Sequence, residues 1–252
     1  MNLTEIAQHL RQNDPDRFGA SLIAPASARP KLWTLYALNL ELARAPLQSN
    51  EPLIAEMRLQ WWIDQLQRAS FGLVGSHDLL PEIAAAWGPQ TGELAALAEP
   101  RRRDCERQPF ATTEDVIAYV EATSKPLMSF ASQAIEPAPL SEMVLSNQAI
   151  GVGISSWLSA LPALNELGMG LALGGAEQVS ELARYGLAAL DRAKSARRDV
   201  PSILGPAIFA PAGTRSNLAA LAADGAALAR QPSEFQRRFA LGRLALTGRW
   251  WA

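Results

Sequence analysis

The sequence predicts an all-α fold, in which a single domain spanning residues 1–252 forms a helical bundle. Apolar residues recur at helical spacing through most of the chain, as Leu35, Leu38 and Leu42 do. Proline and glycine separate these segments, and hairpin signals between alternating apolar runs are missing. No composition shift or internal repeat divides the chain, and its 48% of apolar residues suffices for a sizeable core.

Local end signals predict the helices in order. Asn2 and Glu5 match a capping box for a first helix, which Asp14-Pro15 ends. Thr113 is predicted to cap a later helix, and Pro126 is predicted to kink it. The other predicted helices run from Asp16 to about Ala24, from Pro30 to about Arg44, from Pro52 to Gly72, in one or two pieces between Asp78 and Ala98, from Ser141, from Glu177 to Arg197, and from Ser233 to Arg249.

Charge and cysteine content exclude several classes of function. The formal net charge of -2 does not indicate a nucleic-acid partner. The lone Cys105 excludes an internal disulfide, fits a reducing compartment and, between two acids, is predicted to be inert. The N-terminus has neither signal-peptide nor transit-peptide features. We therefore predict a cytoplasmic protein, either free or peripheral at the inner face of a membrane.

Two apolar segments raise the question of membrane contact. The stretch from Met143 to Asn165 carries no formal charge but is too polar to span a bilayer, and it is predicted to be a buried central helix. The C-terminal segment allows two interpretations, a membrane-facing amphipathic helix or a terminal helix packed on the bundle, and packing is favoured. Its relevant residues are Phe235, Arg237, Arg238, Phe239, Leu241, Arg243, Leu244, Arg249, Trp250 and Trp251.

Two stretches carry residues that helix formation alone does not require. In the order and spacing of these residues, the sequence resembles the squalene/phytoene synthase family. The resemblance covers most of the first 165 residues. It rests on Arg17-Phe18, Ala24-Pro25, Arg29-Pro30, Leu35-Tyr36-Ala37-Leu38-Asn39, Glu41-Leu42-Ala43-Arg44, Glu51-Pro52, Arg58-Leu59-Gln60-Trp61-Trp62, Arg103-Asp104, Tyr119-Val120-Glu121-Ala122-Thr123 and Leu158-Ser159-Ala160-Leu161-Pro162.

The resemblance implies an isoprenoid-synthase-like bundle of helices around a deep central pocket. Active members of the family join two prenyl diphosphates head to head, and bound Mg²⁺ offsets the charge of the leaving diphosphate. The family holds this Mg²⁺ with aspartates on two facing helices. Carboxylate oxygens are the ligands that such a hard cation prefers.

This sequence departs from the family pattern at both aspartate motifs. The positions of the first motif hold Ala43, Arg44 and Leu47. The second motif should lie between residues 143 and 165, where there is no Asp or Glu, and Ser159-Ala160 stands in place of an arginine-aspartate pair. Losing the metal cluster removes several kcal/mol of transition-state stabilisation, at about 1.4 kcal/mol per tenfold in rate.

Three functional hypotheses remain open. The first is a non-catalytic protein that binds a lipid, a prenyl ligand or a protein partner, because the nearest resemblance is to the aspartate-poor branch that includes a mitochondrial complex I assembly factor. The second is an active prenyltransferase with a rearranged Mg²⁺ site, and the third is a binder of an intact polyprenyl chain such as a quinone. The acids available to the second hypothesis are Glu41, Glu51, Asp64 and Asp104.

The first hypothesis predicts no catalytic residue, no metal ligand and no cofactor, with Mg²⁺ required only under the second. Arg58 is expected to pair with Glu51 or Glu41, and at least one of Trp61 and Trp62 is expected in the core. The residues predicted to line a pocket are Tyr36, Asn39, Glu41, Arg44, Arg58, Gln60, Trp61, Glu121 and Thr123.

Overall fold

Reciprocal caps define where three of the helices begin. The Asn2 side chain accepts a hydrogen bond from the Glu5 amide at 3.0 Å, and the Glu5 carboxylate accepts one from the Asn2 amide at 2.9 Å. The same arrangement joins Thr112 to Asp115, so this cap lies one residue before the predicted Thr113. Each cap satisfies backbone donors that the first helical turn leaves free.

The computed structural model contains eleven α-helices among the residues that it describes, 1–138, 140–173 and 175–251. None of these residues lies in a β-strand, which confirms the predicted all-α class. The helices are α1 Leu3–Asn13, α2 Pro15–Ile23, α3 Arg29–Arg44, α4 Pro52–Ser70, α5 Leu80–Trp87, α6 Arg102–Cys105, α7 Thr113–Ile135, α8 Glu142–Glu166, α9 Ala176–Ser195, α10 Thr214–Ala223 and α11 Glu234–Thr247.

The chain packs into two compact units, Met1–Arg107 and Gln108–Ala252, whereas one domain was predicted for residues 1–252. The single-domain assignment stays a prediction. In the first unit, α1, α3 and α4 present rows of leucine and isoleucine to a shared interior. Fully buried members of this core include Ile6, Leu10, Leu35, Leu38, Leu42, Leu59 and Leu66.

In the second unit, α8 lies between α7 and α9, and glycine allows both neighbours to approach. A Cβ atom at Gly151 would lie 2.6 Å from the Leu190 side chain of α9. A Cβ atom at Gly153 would lie 2.5 Å from the Val120 side chain of α7. Contacts this close are shorter than van der Waals distance, so α8 packs through its glycines. The prediction of a buried central helix is confirmed between Val144 and Leu158, whereas the residues of α8 after Leu158 are exposed or half-buried.

The polar residues of α8 bond mainly to backbone. Gln148 is fully buried, and its amide nitrogen donates to the Ile208 carbonyl oxygen at 2.7 Å. Ser159 donates to the Ser155 carbonyl oxygen one turn earlier at 2.8 Å. None of the described helices is long and apolar enough to cross a membrane.

Candidate functional site

Tyr36 of α3 is buried beside a charged pair at the start of α2. Arg17 donates to the Asp14 carboxylate at 2.7 Å, and its guanidinium carbon lies 5.7 Å from the centre of the Tyr36 ring. Burial raises the pKa of Tyr36 well above its usual range, and the nearby Arg17 opposes that shift only in part. Tyr36 is therefore a neutral phenol packed against a cation at physiological pH.

The other three α3 candidates lie around the end of that helix. Arg44 is exposed, and its guanidinium donates to the Asn13 side-chain oxygen of α1 at 2.5 Å. Asn39 and Glu41 are half-buried. Because α3 ends at Arg44 and a 3₁₀ turn over Ala45–Gln48 follows, Leu47 falls outside the α-helix. This end of α3 thus combines a cation with an apolar side chain and no paired acids.

The α4 candidates lie on its exposed surface. Arg58 donates to the Gln48 side-chain oxygen at 2.7 Å rather than to Glu41 or Glu51, so its predicted ion pair is wrong. Gln48 can accept because it ends the 3₁₀ turn after α3, and that turn packs against α4. Gln60 donates to Asp64 at 2.8 Å.

A ring cluster joins α4 to the loop before α5. The Trp62 ring is buried, and its centre lies 4.7 Å from the centre of the His77 ring. Trp61 lies edge-on to Trp62 at 5.2 Å and remains 38% exposed. The prediction that at least one of these tryptophans is in the core is confirmed, and Trp61 is the one that a ligand could contact.

Three exposed apolar side chains form a row on α4. Leu53, Met57 and Trp61 are spaced four residues apart and share one helix face. Arg58 is exposed beside them. We call Leu53, Met57 and Trp61 the α4 row. An apolar row of this kind is typical of surfaces that bind another molecule.

The two candidates on α7 have local partners. Thr123 is buried, and its hydroxyl donates to the Tyr119 carbonyl oxygen one turn earlier at 2.9 Å. Glu121 lies 3.9 Å from the Lys125 ammonium, which also pairs with Glu142 at the start of α8. These contacts account for both side chains as structural groups.

The acids available to a rearranged Mg²⁺ site do not form a cluster. Asp64 accepts from Gln60, while the buried Asp104 lies 3.7 Å from Arg101. Glu51 precedes α4 and is exposed. In the described part of the chain, no three His, Cys, Asp or Glu side chains are placed to hold a metal ion. The residues present therefore do not fit the carboxylate-rich magnesium cluster that prenyl diphosphate chemistry needs.

Cys105 is buried at the end of α6, and its environment suppresses the thiolate. Burial, followed by the charges of Asp104 and Glu56, raises the pKa of the Cys105 thiol to about 11. We expect alkylation of Cys105 by iodoacetamide at pH 8 to be at least about 100-fold slower in the folded protein than in urea. Mass spectrometry of alkylated protein over time measures both rates, and equal rates would contradict the inert assignment.

Comparisons with known proteins agree with this fold. The sequence model of the squalene/phytoene synthase family matches residues 10–173. The crystal structure of a dehydrosqualene synthase in complex with ligand superposes with a TM-score of 0.76 at 10% identity, covering 96% of this chain and 94% of that chain. Squalene synthase HpnC from Alicyclobacillus acidocaldarius superposes with a TM-score of 0.68 at 16% identity, covering 87% and 91%. A comparison with curated protein sequences finds no significant match.

Proposed function

The chain belongs to the squalene/phytoene synthase family, and from that premise we propose that it is a non-catalytic member that acts by binding. The observation that carries the proposal is the replacement of acids by Ala43, Arg44 and Leu47 at the end of α3, together with their absence from residues 143–165. Ionising a prenyl diphosphate concentrates negative charge on the leaving group, and these positions supply no ligand for a compensating cation.

The surroundings of the remaining candidates support the same proposal. Arg44 donates to Asn13, and Asp64 accepts from Gln60, so each has a structural partner within the first unit. A single guanidinium can bind a phosphate, but it does not replace several metal ions. The α4 row offers apolar surface on the helix that carries the family-like Arg-Leu-Gln-Trp-Trp run, which favours a prenyl lipid as the bound molecule.

An assay with prenyl diphosphates tests the proposal directly. We expect purified protein incubated with farnesyl or geranylgeranyl diphosphate and Mg²⁺ to release no more diphosphate than a heat-killed sample does. Product analysis by mass spectrometry should find no joined hydrocarbon. Release above the control would favour the alternative, an active prenyltransferase with a rearranged site.

Magnesium binding supplies a readout that does not depend on having chosen the right substrate. A site with Mg²⁺ at 100 times its Kd would stabilise the fold by about 2.7 kcal/mol. At about 2–4 °C per kcal/mol, Tm would then rise by at least about 5 °C. We expect a rise of less than about 1 °C in differential scanning fluorimetry. Ca²⁺ at the same ionic strength is the matched control, and a rise specific to Mg²⁺ would contradict the proposal.

Purification from the native host identifies the bound molecule. We expect solvent extraction of the purified protein to yield a prenyl lipid, measured against an equal mass of an unrelated protein purified in the same way. Recovery of a stoichiometric protein partner without lipid would instead favour a role as an assembly factor. Either result leaves the non-catalytic assignment to be judged by the diphosphate assay.

A further inference from the structure

The outward face of α11 carries large apolar side chains. Phe235, Phe239 and Leu246 are 77%, 61% and 88% exposed. The two phenylalanine rings stack with their centres 6.3 Å apart. At about 100° per residue, the three positions fall on one side of the helix. We call them the outer stripe. Ala240 and Leu244, on the opposite side, are buried.

Arginines flank the outer stripe. The helical turn places Arg238 on one side of it and Arg243 on the other. Residues 230–251 contain five arginines and one glutamate, whereas the whole chain has a net charge of -2. The segment that contains the exposed apolar helix is therefore basic, although the chain as a whole is slightly acidic.

A group of like charges lies next to this helix. The guanidinium carbons of Arg197 and Arg249 lie 5.9 and 5.6 Å from the centre of the Trp251 ring. Burial, and then the charge of Arg249, lowers the pKa of Arg243. The Nε atoms of Arg243 and Arg249 are buried and donate no hydrogen bond to any described residue. We call Arg197, Arg243 and Arg249 the arginine cluster.

Cations held this close repel one another, and a bound anion would offset that repulsion. Guanidinium groups bind phosphate oxygens in pairs of hydrogen bonds, so a phosphate is the anion that the arginine cluster suits. Arg243 lies on the same helix as the outer stripe, between the positions of Phe239 and Leu246 along the chain. A lipid surface, in which a phosphate layer lies next to a hydrocarbon layer, fits the arginine cluster and the outer stripe together.

We propose that α11 docks this face on an anionic lipid bilayer, with the outer stripe entering the headgroup layer and the arginine cluster binding lipid phosphates. Amphipathic helices with aromatic and leucine side chains beside arginines bind membrane surfaces in this way. A second copy of the chain fits less well, because a two-fold contact would set the flanking arginines against each other. The proposal does not depend on whether the protein is catalytic.

Co-sedimentation of the full-length protein with vesicles tests the proposal. One set of vesicles is pure phosphatidylcholine, and the other contains one third phosphatidylglycerol. We expect binding to the anionic vesicles to be at least about tenfold tighter, and to weaken when salt rises from about 100 mM to about 500 mM. Equal binding to both vesicle types, or no binding at all, would overturn the proposal.

Variants separate the two components of the surface. We expect F235S/F239S and R243Q/R249Q each to lose at least about tenfold in affinity for anionic vesicles. Phe71, 84% exposed in the first unit, provides the matched control, and F71S should bind like the unmodified protein. Circular dichroism and Tm must show that each variant folds. Retained binding by either double variant would refute the assigned role of that component.

Two further measurements identify the occupant of the surface. A dye attached through Leu246→Cys should shift its emission to the blue with anionic vesicles, since the buried Cys105 is protected from labelling. An unshifted dye would overturn the insertion of the outer stripe. Sedimentation velocity without lipid should show the same mass for the unmodified protein and F235S/F239S. A dimer that the double variant dissociates would instead assign the face to self-association.

Discussion

Replacing Trp250 with alanine should destabilise the second unit by about 3–5 kcal/mol, the usual cost of removing a large buried aromatic side chain. Trp250 is 1% exposed and is the largest fully buried side chain among the described residues. Its carbonyl oxygen accepts a hydrogen bond from the Ala210 amide at 2.8 Å, which ties the segment after α11 to the irregular link before α10. The cavity would therefore open where two irregular segments meet.

Hydrogen exchange followed by mass spectrometry checks this expectation segment by segment. We expect Trp250→Ala to lose protection in α11 and around Ala210, while α1 to α4 keep theirs. Trp61→Ala is the matched control, because the side chain at that position is 38% exposed and its removal should cost less. Unchanged protection of α11 in Trp250→Ala would mean that this helix is held by other contacts.

The different burial of Trp250 and Trp251 could not be predicted from the sequence. Packing on the bundle and contact with a membrane were both open for the C-terminal segment, and the two tryptophans were treated alike. Trp250 is buried, which confirms packing for that residue, while the Trp251 ring lies within 6 Å of two guanidinium groups. Phe235 and Phe239 are exposed. Adjacent residues differ here because tertiary contacts, rather than helical periodicity, decide which side chain is covered.

Local signals were the reliable part of the prediction. The cap at Asn2 was predicted correctly because a capping residue and its partner lie within four positions. The last helix was predicted to begin at about Ser233, and the structure shows that Ser233 caps it. The helix α10 was missed because Gly213 precedes it without a side-chain cap, and three prolines interrupt the approach to it. The short α6 was missed for lack of any periodicity in four residues.

The sequence shows which residues stand at the positions where the family resemblance implies acids, namely Ala43, Arg44 and Leu47, but it does not show what they contact. The acceptor of Arg44 is Asn13, 31 positions earlier, and no local rule connects them. The arginine cluster escaped prediction for the same reason, because Arg197 and Arg249 come together only in three dimensions.

Under the non-catalytic proposal, the fold persists without a metal site because different residues would maintain the two. A metal cluster needs carboxylates pointing at one another, and nothing in helix packing requires them. The packing of α8 instead depends on glycines that let neighbouring helices approach. Glycine inside a helix costs about 1 kcal/mol relative to alanine, so its presence in the middle of α8 indicates a steric need. We therefore expect Gly151 to be less replaceable than any position of the former acid motifs.

Gly151→Leu should destabilise the second unit by about 3 kcal/mol, the upper end of the usual cost of overpacking a core. A Cβ atom at Gly151 already falls 2.6 Å from the Leu190 Cγ and 3.1 Å from the Gly186 carbonyl oxygen. The backbone oxygen cannot rotate away, so α8 and α9 must separate. Leucine is a better helix former than glycine, so helix propensity alone would make Gly151→Leu stabilising. A loss of stability would therefore report on packing.

Gly242→Ala is the matched control, since Gly242 also lies inside a helix but a Cβ atom there meets nothing within 4 Å. This substitution should stabilise the protein by up to about 1 kcal/mol through helix propensity. Urea unfolding followed by far-ultraviolet circular dichroism measures both variants under the same conditions. If Gly151→Leu were as stable as the unmodified protein, close glycine packing could not be what holds α8 against α9.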